Sequence, residues 1–140
     1  MPDRQLQCVV VTPEKAVLDA PSDFVVLPMY DGELGVLPGR APLIGRLGCG
    51  ELRIQQGQDT KRYFVDGGFA QIRANVVTVL TARAMKGEDI NLAAAQHALD
   101  AGKQPGATPE LQEQQQKAQE RARSQIRVAQ RAKGETSPTH

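Results

Sequence analysis

Hydrophobic residues in the first 86 positions fall into short segments that turn-forming residues separate. The segments at 6–11, 24–27 and 76–80 are rich in valine and too short for helices. Turn signals recur about every 8 to 12 residues with no helical period between them, which is typical of an antiparallel sandwich or barrel. We predict a β-sandwich over residues 1–86.

Further strands follow in the second half of this region. Residues 51–55 alternate between polar and apolar side chains, which indicates a half-exposed strand. After a glycine-containing turn come two more apolar segments, at 61–65 and 69–72. Because Asp66-Gly67-Gly68 is a strong turn signal, we expect these two segments to be separate strands.

The stretch 31–43, D-G-E-L-G-V-L-P-G-R-A-P-L, mixes turn residues with apolar side chains. Its glycines permit positive φ, and its prolines fix φ and remove backbone donors. Leu34, Val36 and Leu37 are residues of the kind that proteins bury. We therefore expect a sharply folded excursion between strands, and such segments often carry binding.

Two helices are predicted in the rest of the chain, where Gln, Ala, Arg and Glu dominate. Asn91 is a good N-cap for a helix over residues 92–101, and Gly102 suits its C-terminal exit. Thr108 as the N-cap and Pro109 at the first helical position open a second helix.

The second helix should end near Lys133, so residues 87–133 form a helical hairpin around a loop at 103–107. Residues 134–140 lack periodicity and are predicted to be a disordered tail. The predicted fold class is therefore α+β, with an N-terminal antiparallel β-sandwich followed by a C-terminal α-helical hairpin.

A weakly apolar stripe runs along the second helix when its residues are projected at about 100° each. Most of the stripe is alanine, so its burial contributes little and docking of the helix should be marginal and reversible. The stripe consists of Leu111, Ala118, Ala122, Ile126 and Ala129. A basic face on the far side is formed by Arg123, Arg127 and Arg131.

Composition narrows the classes of function. A net charge of +1 and few aromatic residues disfavour nucleic acid as a partner. Cys8 and Cys49 lack metal-type spacing, and we expect reduced thiols rather than a disulfide. Neither a signal sequence nor a membrane-spanning segment is visible, which predicts a soluble protein that stays where it is made, without direct membrane insertion.

The sequence contains no motif that indicates an enzyme. The chain contains neither a phosphate-binding G-x-x-x-x-G-K-[ST] motif nor a G-x-S-x-G motif. His97 is isolated, and Asp31 and Glu33 have no visible nucleophile beside them. We therefore expect a protein that is not an enzyme, with no catalytic residues, cofactor or metal site of its own.

Five sequence blocks resemble, in order, the epsilon subunit of F-type ATP synthase. Together they span nearly the whole predicted sandwich, and the family has the same two-part architecture. A weaker similarity to the family's terminal helix lies in S-Q-I-R-V at 124–128. The five blocks are V-V-V-T-P-E at 9–14, the 31–43 stretch, G-E-L-R-I at 50–54, F-V-D-G-G-F at 64–69 and N-V-V-T-V-L at 75–80.

The resemblance implies a non-catalytic rotor subunit of the central stalk that couples proton translocation to ATP synthesis and restrains ATP hydrolysis. In that family the sandwich binds the gamma subunit and sits on the c-subunit ring. The hairpin folds against the sandwich or extends along gamma toward the alpha and beta catalytic subunits. The implied location is peripheral, at the cytoplasmic face of the energy-transducing membrane.

The resemblance also assigns the c-ring and gamma interface to the 31–43 stretch. Glu33 and Arg40 match positions of the family's c-ring contact. Arg40 replaces the family's usual His, so the pH sensitivity that a His gives is not expected. The other implied interface residues are Asp31, Leu34, Gly35, Pro38 and Pro42.

Two regulatory expectations follow from the hairpin. Some family members bind ATP through a motif that begins I-D and has Arg three residues after the Asp. Here residues 90–94 read I-N-L-A-A, so we expect weak or absent ATP binding. The basic face of Arg123, Arg127 and Arg131 is either simply solvated or meets acidic surface on the catalytic subunits. The alternative function is a free-standing β-sandwich protein-binding module with a helical extension.

Overall fold

A computed structural model describes residues 5–101 and 108–133 of the chain. They form a β-sandwich followed by two helices, which confirms the predicted fold class. A short 3-10 helix, Gly87–Asp89, joins the two parts. The strands are β1 (Leu6–Val11), β2 (Ala16–Ser22), β3 (Phe24–Met29), β4 (Gly32–Val36), β5 (Leu43–Gln56), β6 (Asp59–Arg73), β7 (Val76–Leu80) and β8 (Ala84–Lys86); the helices are α1 (Leu92–Ala101) and α2 (Pro109–Ala132).

The strands are hydrogen-bonded in the order β2-β1-β7-β6-β5-β3-β4, with β8 also on β6. The pairs are antiparallel except for β1 and β7, which run parallel. With 14 and 15 residues, β5 and β6 are long enough to pass from one layer to the other. The two ends of β6 pair with different neighbours: residues 69–73 pair with β7, whereas residues 63–65 pair with β8.

One core fills the space between the layers, as the alternation in the strands predicts. Its members are almost completely shielded from solvent and come from β1, β3, β4, β5, β6 and β7. They include Leu6, Val10, Leu27, Leu52, Ile54, Ile72, Val77 and Val79.

The predicted turn at Asp66-Gly67-Gly68 is wrong, because β6 continues through it. Gly67 and Gly68 have φ of +72° and +106°, values that glycine adopts without strain. The carbonyl of Leu80 also lies where a side chain on Gly68 would stand. The two glycines therefore bend a continuous strand between layers instead of ending it.

The stretch 31–43 is folded, as predicted, but half of it is regular structure. Gly32–Val36 forms β4, which pairs with β3 and buries Val36. Leu37 was expected to be buried, whereas its side chain is 59% exposed because the chain has already left β4. Residues 37–42 form the connecting loop.

Both predicted N-caps are confirmed. The backbone N–H of Ala94 donates to Asn91 Oδ1 over 3.0 Å, and that of Leu111 donates to Thr108 Oγ1 over 3.1 Å. Gly102, the predicted loop at 103–107 and the predicted tail at 134–140 lie outside the described residues.

The buried face of α2 differs from the predicted stripe. Ala122 and Ala129 are buried as expected, whereas Leu111 is 46% exposed and Ser124 and Val128 are buried instead. Only the C-terminal half of α2 therefore lies on the sandwich. In the described ranges, neither helix is long and apolar enough to cross a membrane.

Candidate functional site

Glu33 and Leu34, two of the predicted interface residues, lie on β4 beside an open cavity of about 600 Å³. The cavity is lined by the β3–β4 turn, including Asp31, and by the beginning of β5. Glu33 and Asp31 are exposed, and Leu34 packs partly against the core. At this end of the β3–β4 pair, exposed carboxylates therefore lie beside a partly apolar cavity wall.

Tyr30 and Arg46 add a feature that the sequence analysis missed. The Arg46 guanidinium lies 4.7 Å from the centre of the Tyr30 ring, a cation–π contact. Tyr30 is 70% exposed, and its backbone N–H donates to the Arg46 carbonyl over 2.9 Å. An aromatic residue placed directly after a buried strand was the signal in the sequence.

Arg40 lies apart from this cavity, on the loop at 37–42. The backbone N–H of Arg40 donates to the carbonyl of Leu37 over 3.2 Å, which closes a turn. The N–H of Gly39 donates to Asn75 Oδ1 over 2.8 Å and ties the loop to the β6–β7 turn. Arg40 and Pro42 are therefore exposed on an anchored loop, with Pro38 half-buried, but the structure does not bring Arg40 to the cavity beside Glu33.

Gly35, another predicted interface residue, has a structural role. A Cβ at this position would lie 3.0 Å from Cζ of Phe24, so Gly35 lets the Phe24 ring cross β4. This close approach explains the glycine without any partner molecule.

One outer face of the sandwich carries exposed apolar side chains. Ile44, Phe69 and Leu80 are 71%, 54% and 52% exposed, and we call them the free sheet face. Phe69 is directly opposite Leu80 on β7 and opposite Arg46 on β5. The sequence pattern does not reveal this face because these residues alternate with core residues that are equally apolar.

The other layer presents its outer face to α2, and we call this face the helix-facing surface. It contains three cross-strand pairs between β5 and β6: Cys49 with Asp66, Glu51 with Phe64, and Arg53 with Arg62. Above it, Phe64 packs with Ile90, Val128 and Ala129 in a hydrophobic cluster separate from the sandwich core.

Glu51 is the electrostatic centre of this surface. Its side chain is 5% exposed, and its Oε1 accepts from Nη1 of Arg53, Arg62 and Arg131, each over 3.2 Å. The first two arginines belong to the sandwich and the third to α2. Like charges directly opposite on neighbouring strands repel, and the carboxylate offsets that repulsion between Arg53 and Arg62.

A second charge pair joins α2 to β6. Arg121 Nε lies 2.8 Å from Asp66 Oδ2, although the geometry is not that of a hydrogen bond. Between the two charge pairs, the Ser124 hydroxyl donates to the Cys49 carbonyl over 3.4 Å. Burial raises the pKa of the Cys49 thiol to about 11, and the Asp66 carboxylate adds to the shift.

The basic face of α2 is smaller than predicted. Arg123 and Arg127 are exposed, but Arg131 turns to Glu51 and is not on the free side of the docked helix. The helical projection missed this because it contains no information about a carboxylate on the sandwich.

The described residues contain no cluster of His, Cys, Asp and Glu suited to a metal ion. Cys8 is a free thiol in the sandwich core, where burial raises its pKa to about 12, so it is not a nucleophile at neutral pH. His97 is exposed on α1.

Comparison with known proteins gives one consistent result. Residues 5–87 match the family model described as ATP synthase, Delta/Epsilon chain, beta-sandwich domain. An ATP synthase epsilon chain from Rhodopirellula baltica is 51% identical over 125 residues, which is 89% of this chain and 98% of the relative. One from a Synechococcus strain is 43% identical over 123 residues, covering 86% of this chain and 90% of the relative.

Solved structures show the same fold. A chain in the mitochondrial ATP synthase of Euglena gracilis, in a structure of OSCP, F1 and the c-ring, aligns with a TM-score of 0.79 at 24% identity, covering 86% of this chain and 79% of that one. A chain in the central stalk and c-ring structure from Tetrahymena thermophila aligns with a TM-score of 0.68 at 13% identity, covering 89% and 96%.

Proposed function

The chain belongs to the ATP synthase delta/epsilon family as an epsilon-type, non-catalytic subunit, and from this premise we propose that it couples proton translocation to ATP synthesis and restrains ATP hydrolysis. Its partners in the complex are the gamma subunit, the c-subunit ring and the alpha and beta catalytic subunits. Its place is peripheral, at the cytoplasmic face of the energy-transducing membrane.

The observation that carries this proposal is the difference between the two outer faces of the sandwich. One face is covered by α2, whereas the other exposes Ile44, Phe69 and Leu80. An exposed apolar patch beside an arginine is typical of a protein interface. We assign the free sheet face to the gamma subunit.

The c-ring contact is assigned to the 31–43 stretch. Glu33 and Arg40 are both exposed, on β4 and on the anchored loop, so they present opposite charges at separate points. The hydrogen bond from Gly39 to Asn75 and the packing of Val36 limit movement of the stretch. A stiff surface is what transmission of torque requires.

Restraint of hydrolysis is assigned to the two helices. The shallow contact of α2 with the sandwich makes a two-state element that partners can shift. When α2 leaves the sandwich, Arg123 and Arg127 meet acidic surface on the catalytic subunits and resist rotation in the hydrolysis direction.

Deletion of residues 88–140 tests the restraint. ATP hydrolysis by the reconstituted complex should be faster with residues 1–87 than with the full chain, at equal incorporation of the subunit. Equal rates would show that the helices do not restrain hydrolysis.

Charge reversal of Arg123 and Arg127 tests the electrostatic part. The double variant should restrain hydrolysis less, and the difference from wild type should be larger at low salt, because exposed charges are screened over about 10 Å at 0.1 M. Arg131 is left unchanged, since it contacts Glu51 in the docked state and its loss would also weaken the docking of α2. A difference that is independent of salt would exclude the charge contact.

A further inference from the structure

We propose that α2 is held on the sandwich by an ionic latch, Arg131 on Glu51 and Arg121 on Asp66, which opens without unfolding the sandwich. The latch can be measured on the isolated chain. Its use in setting how often the helix is free to restrain hydrolysis rests on the function proposed above.

Burial of apolar side chains of α2 contributes only a limited part of the free energy of docking on the sandwich. Only Ala122, Ser124, Val128 and Ala129 are buried on this 24-residue helix. Alanine methyl groups contribute a small part of the free energy that leucine or isoleucine side chains give on burial. The two charge pairs, one near each end of the docked segment, therefore add to a small apolar contact around Phe64.

Glu51 is arranged so that the latch can open. Removing one partner of a buried charge pair usually leaves the other charge uncompensated, which is strongly unfavourable. Here Arg53 and Arg62 both stay on Glu51 Oε1 when Arg131 leaves. Arg53 lies on β5 together with Glu51, and Arg62 lies on the neighbouring strand β6. Glu51 Oε1 thus keeps two arginine partners in both states, although Oε2 has none when α2 is docked. Asp66 loses Arg121, but its side chain is already 21% exposed to water.

The two hydrophobic clusters separate in the same way. Phe64 packs with Val128 and Ala129 of α2, whereas its neighbours Tyr63 and Val65 belong to the sandwich core. Departure of α2 uncovers the Phe64 cluster and leaves the core intact. The contact is nevertheless close, since a Cβ on Gly87 would lie 2.5 Å from Cβ of Ala132.

The two cysteines provide a direct test on the full-length chain. Cys49 lies under α2, and its thiol should alkylate faster when the helix leaves, because its pKa of about 11 falls toward the ordinary 9.0. Cys8 lies in the sandwich core and reports unfolding of the sandwich. Both rates are followed in one sample by mass spectrometry with iodoacetamide.

Arg131→Gln should accelerate alkylation of Cys49 about three- to tenfold, as expected for loss of one partly buried charge pair, without accelerating Cys8. Arg123→Gln is the matched control, because it removes the same charge from an exposed position of the same helix. Raising the salt concentration from about 0.01 M to about 1 M shortens the Debye length from roughly 30 Å to roughly 3 Å and should accelerate Cys49 in wild type more than in Arg131→Gln.

Two results would overturn the latch. One is an Arg131→Gln chain whose Cys49 reacts at the wild-type rate, or no faster than in Arg123→Gln. The other is Cys8 becoming reactive together with Cys49 as salt rises, which would mean that α2 cannot leave a folded sandwich.

Glu51→Gln separates the latch from the proposed function, since it frees α2 with all its arginines present. Because it also leaves Arg53 and Arg62 without their carboxylate, an unchanged rate at Cys8 is required to show that the sandwich stays folded. In the isolated chain, Cys49 should react faster; in the reconstituted complex, ATP hydrolysis should be slower than with wild type. Faster alkylation with unchanged hydrolysis supports the latch and contradicts the restraint. Unchanged alkylation contradicts the latch whatever the hydrolysis rate.

Discussion

Gly87 lies directly against the C-terminal end of α2. A Cβ there would lie 2.5 Å from Cβ of Ala132 and 3.1 Å from the carbonyl oxygen of Val128. Both atoms belong to a helix and cannot move independently of it. The absence of a side chain at Gly87 is therefore a condition for docking.

Gly87→Ala should loosen α2 without destabilising the sandwich. Overpacking of this kind costs about 1 to 3 kcal/mol, which the shallow helix contact cannot offset. Hydrogen exchange at residues 121–133 should accelerate while exchange in β5 and β6 stays unchanged. Adding Ala132→Gly removes the closer of the two contacts and should restore part of the protection; if it restores none, the contact with Ala132 is not the cause.

Cys8 makes the stability of the sandwich depend on alkaline pH. Its pKa is about 12 in the folded chain against an ordinary 9.0, so above pH 9.0 only the unfolded chain releases the proton. The stabilisation is complete below that pH and is lost as pH rises toward 12. Between pH 9.0 and about 12, the free energy of unfolding of wild type, measured with urea, should fall by about 1.4 kcal/mol per pH unit more than that of Cys8→Ala.

Val10→Ala is the control for this measurement, because it also shortens a core side chain of β1 but does not titrate. It should lower the free energy of unfolding by a similar amount at every pH. If Cys8→Ala showed the same alkaline slope as wild type, the buried thiol would not be the source of the pH dependence.

Local and distant determinants explain which residues could be predicted from the sequence. Asn91 and Thr108 were predicted as caps because a cap depends on backbone three residues away. The contact of Arg131 with Glu51 joins residues 80 positions apart, and no local pattern encodes it. Glu33 and Arg40 were found through family resemblance, and their role stays a prediction.

At the scale of elements, strands β5 and β6 also show that distant contacts cannot be predicted from local sequence. Their separate apolar segments were visible in the sequence, but glycines at 67 and 68 were interpreted as a turn. Whether such a pair ends a strand or bends it depends on what packs behind it, and here the carbonyl of Leu80 lies directly there. Tertiary packing therefore determines that β6 bends at these glycines instead of ending, and the periodicity of the sequence contains no information about that packing.

Phe64→Ala should separate the unfolding of α2 from that of the sandwich. Phe64 is completely shielded from solvent in the cluster with Ile90, Val128 and Ala129, so truncation to alanine removes much of the apolar contact beneath α2. The loss falls on helix docking because Phe64 lies outside the sandwich core. Cys49 should become reactive at a lower urea concentration than Cys8.

Tyr63→Ala is the comparison variant, since the adjacent side chain points into the core. It should make Cys8 and Cys49 reactive together at reduced urea. A Phe64→Ala chain that behaved in the same way would mean that the two clusters unfold as one unit.

At the scale of the whole molecule, the two outer faces of the sandwich differ in what covers them. The helix-facing surface is covered within the chain by α2, through charge pairs and through Val128 and Ala129. The free sheet face has no such cover among the described residues. Under the proposed function, this separation would let the subunit stay bound to its rotor while its helix moves.

Phe69→Asp should therefore weaken attachment to the complex more than any change on α2. Phe69 is 54% exposed, so an aspartate there costs the isolated chain little stability but places a charge in the centre of the apolar patch. Recovery of the tagged variant with the other subunits should fall at least about tenfold, because loss of a central interface aromatic costs roughly 2 kcal/mol or more. Leu111→Asp, at a similarly exposed apolar residue on α2, should co-purify like wild type. If both variants or neither lose the complex, the free sheet face is not the site that holds the subunit in place.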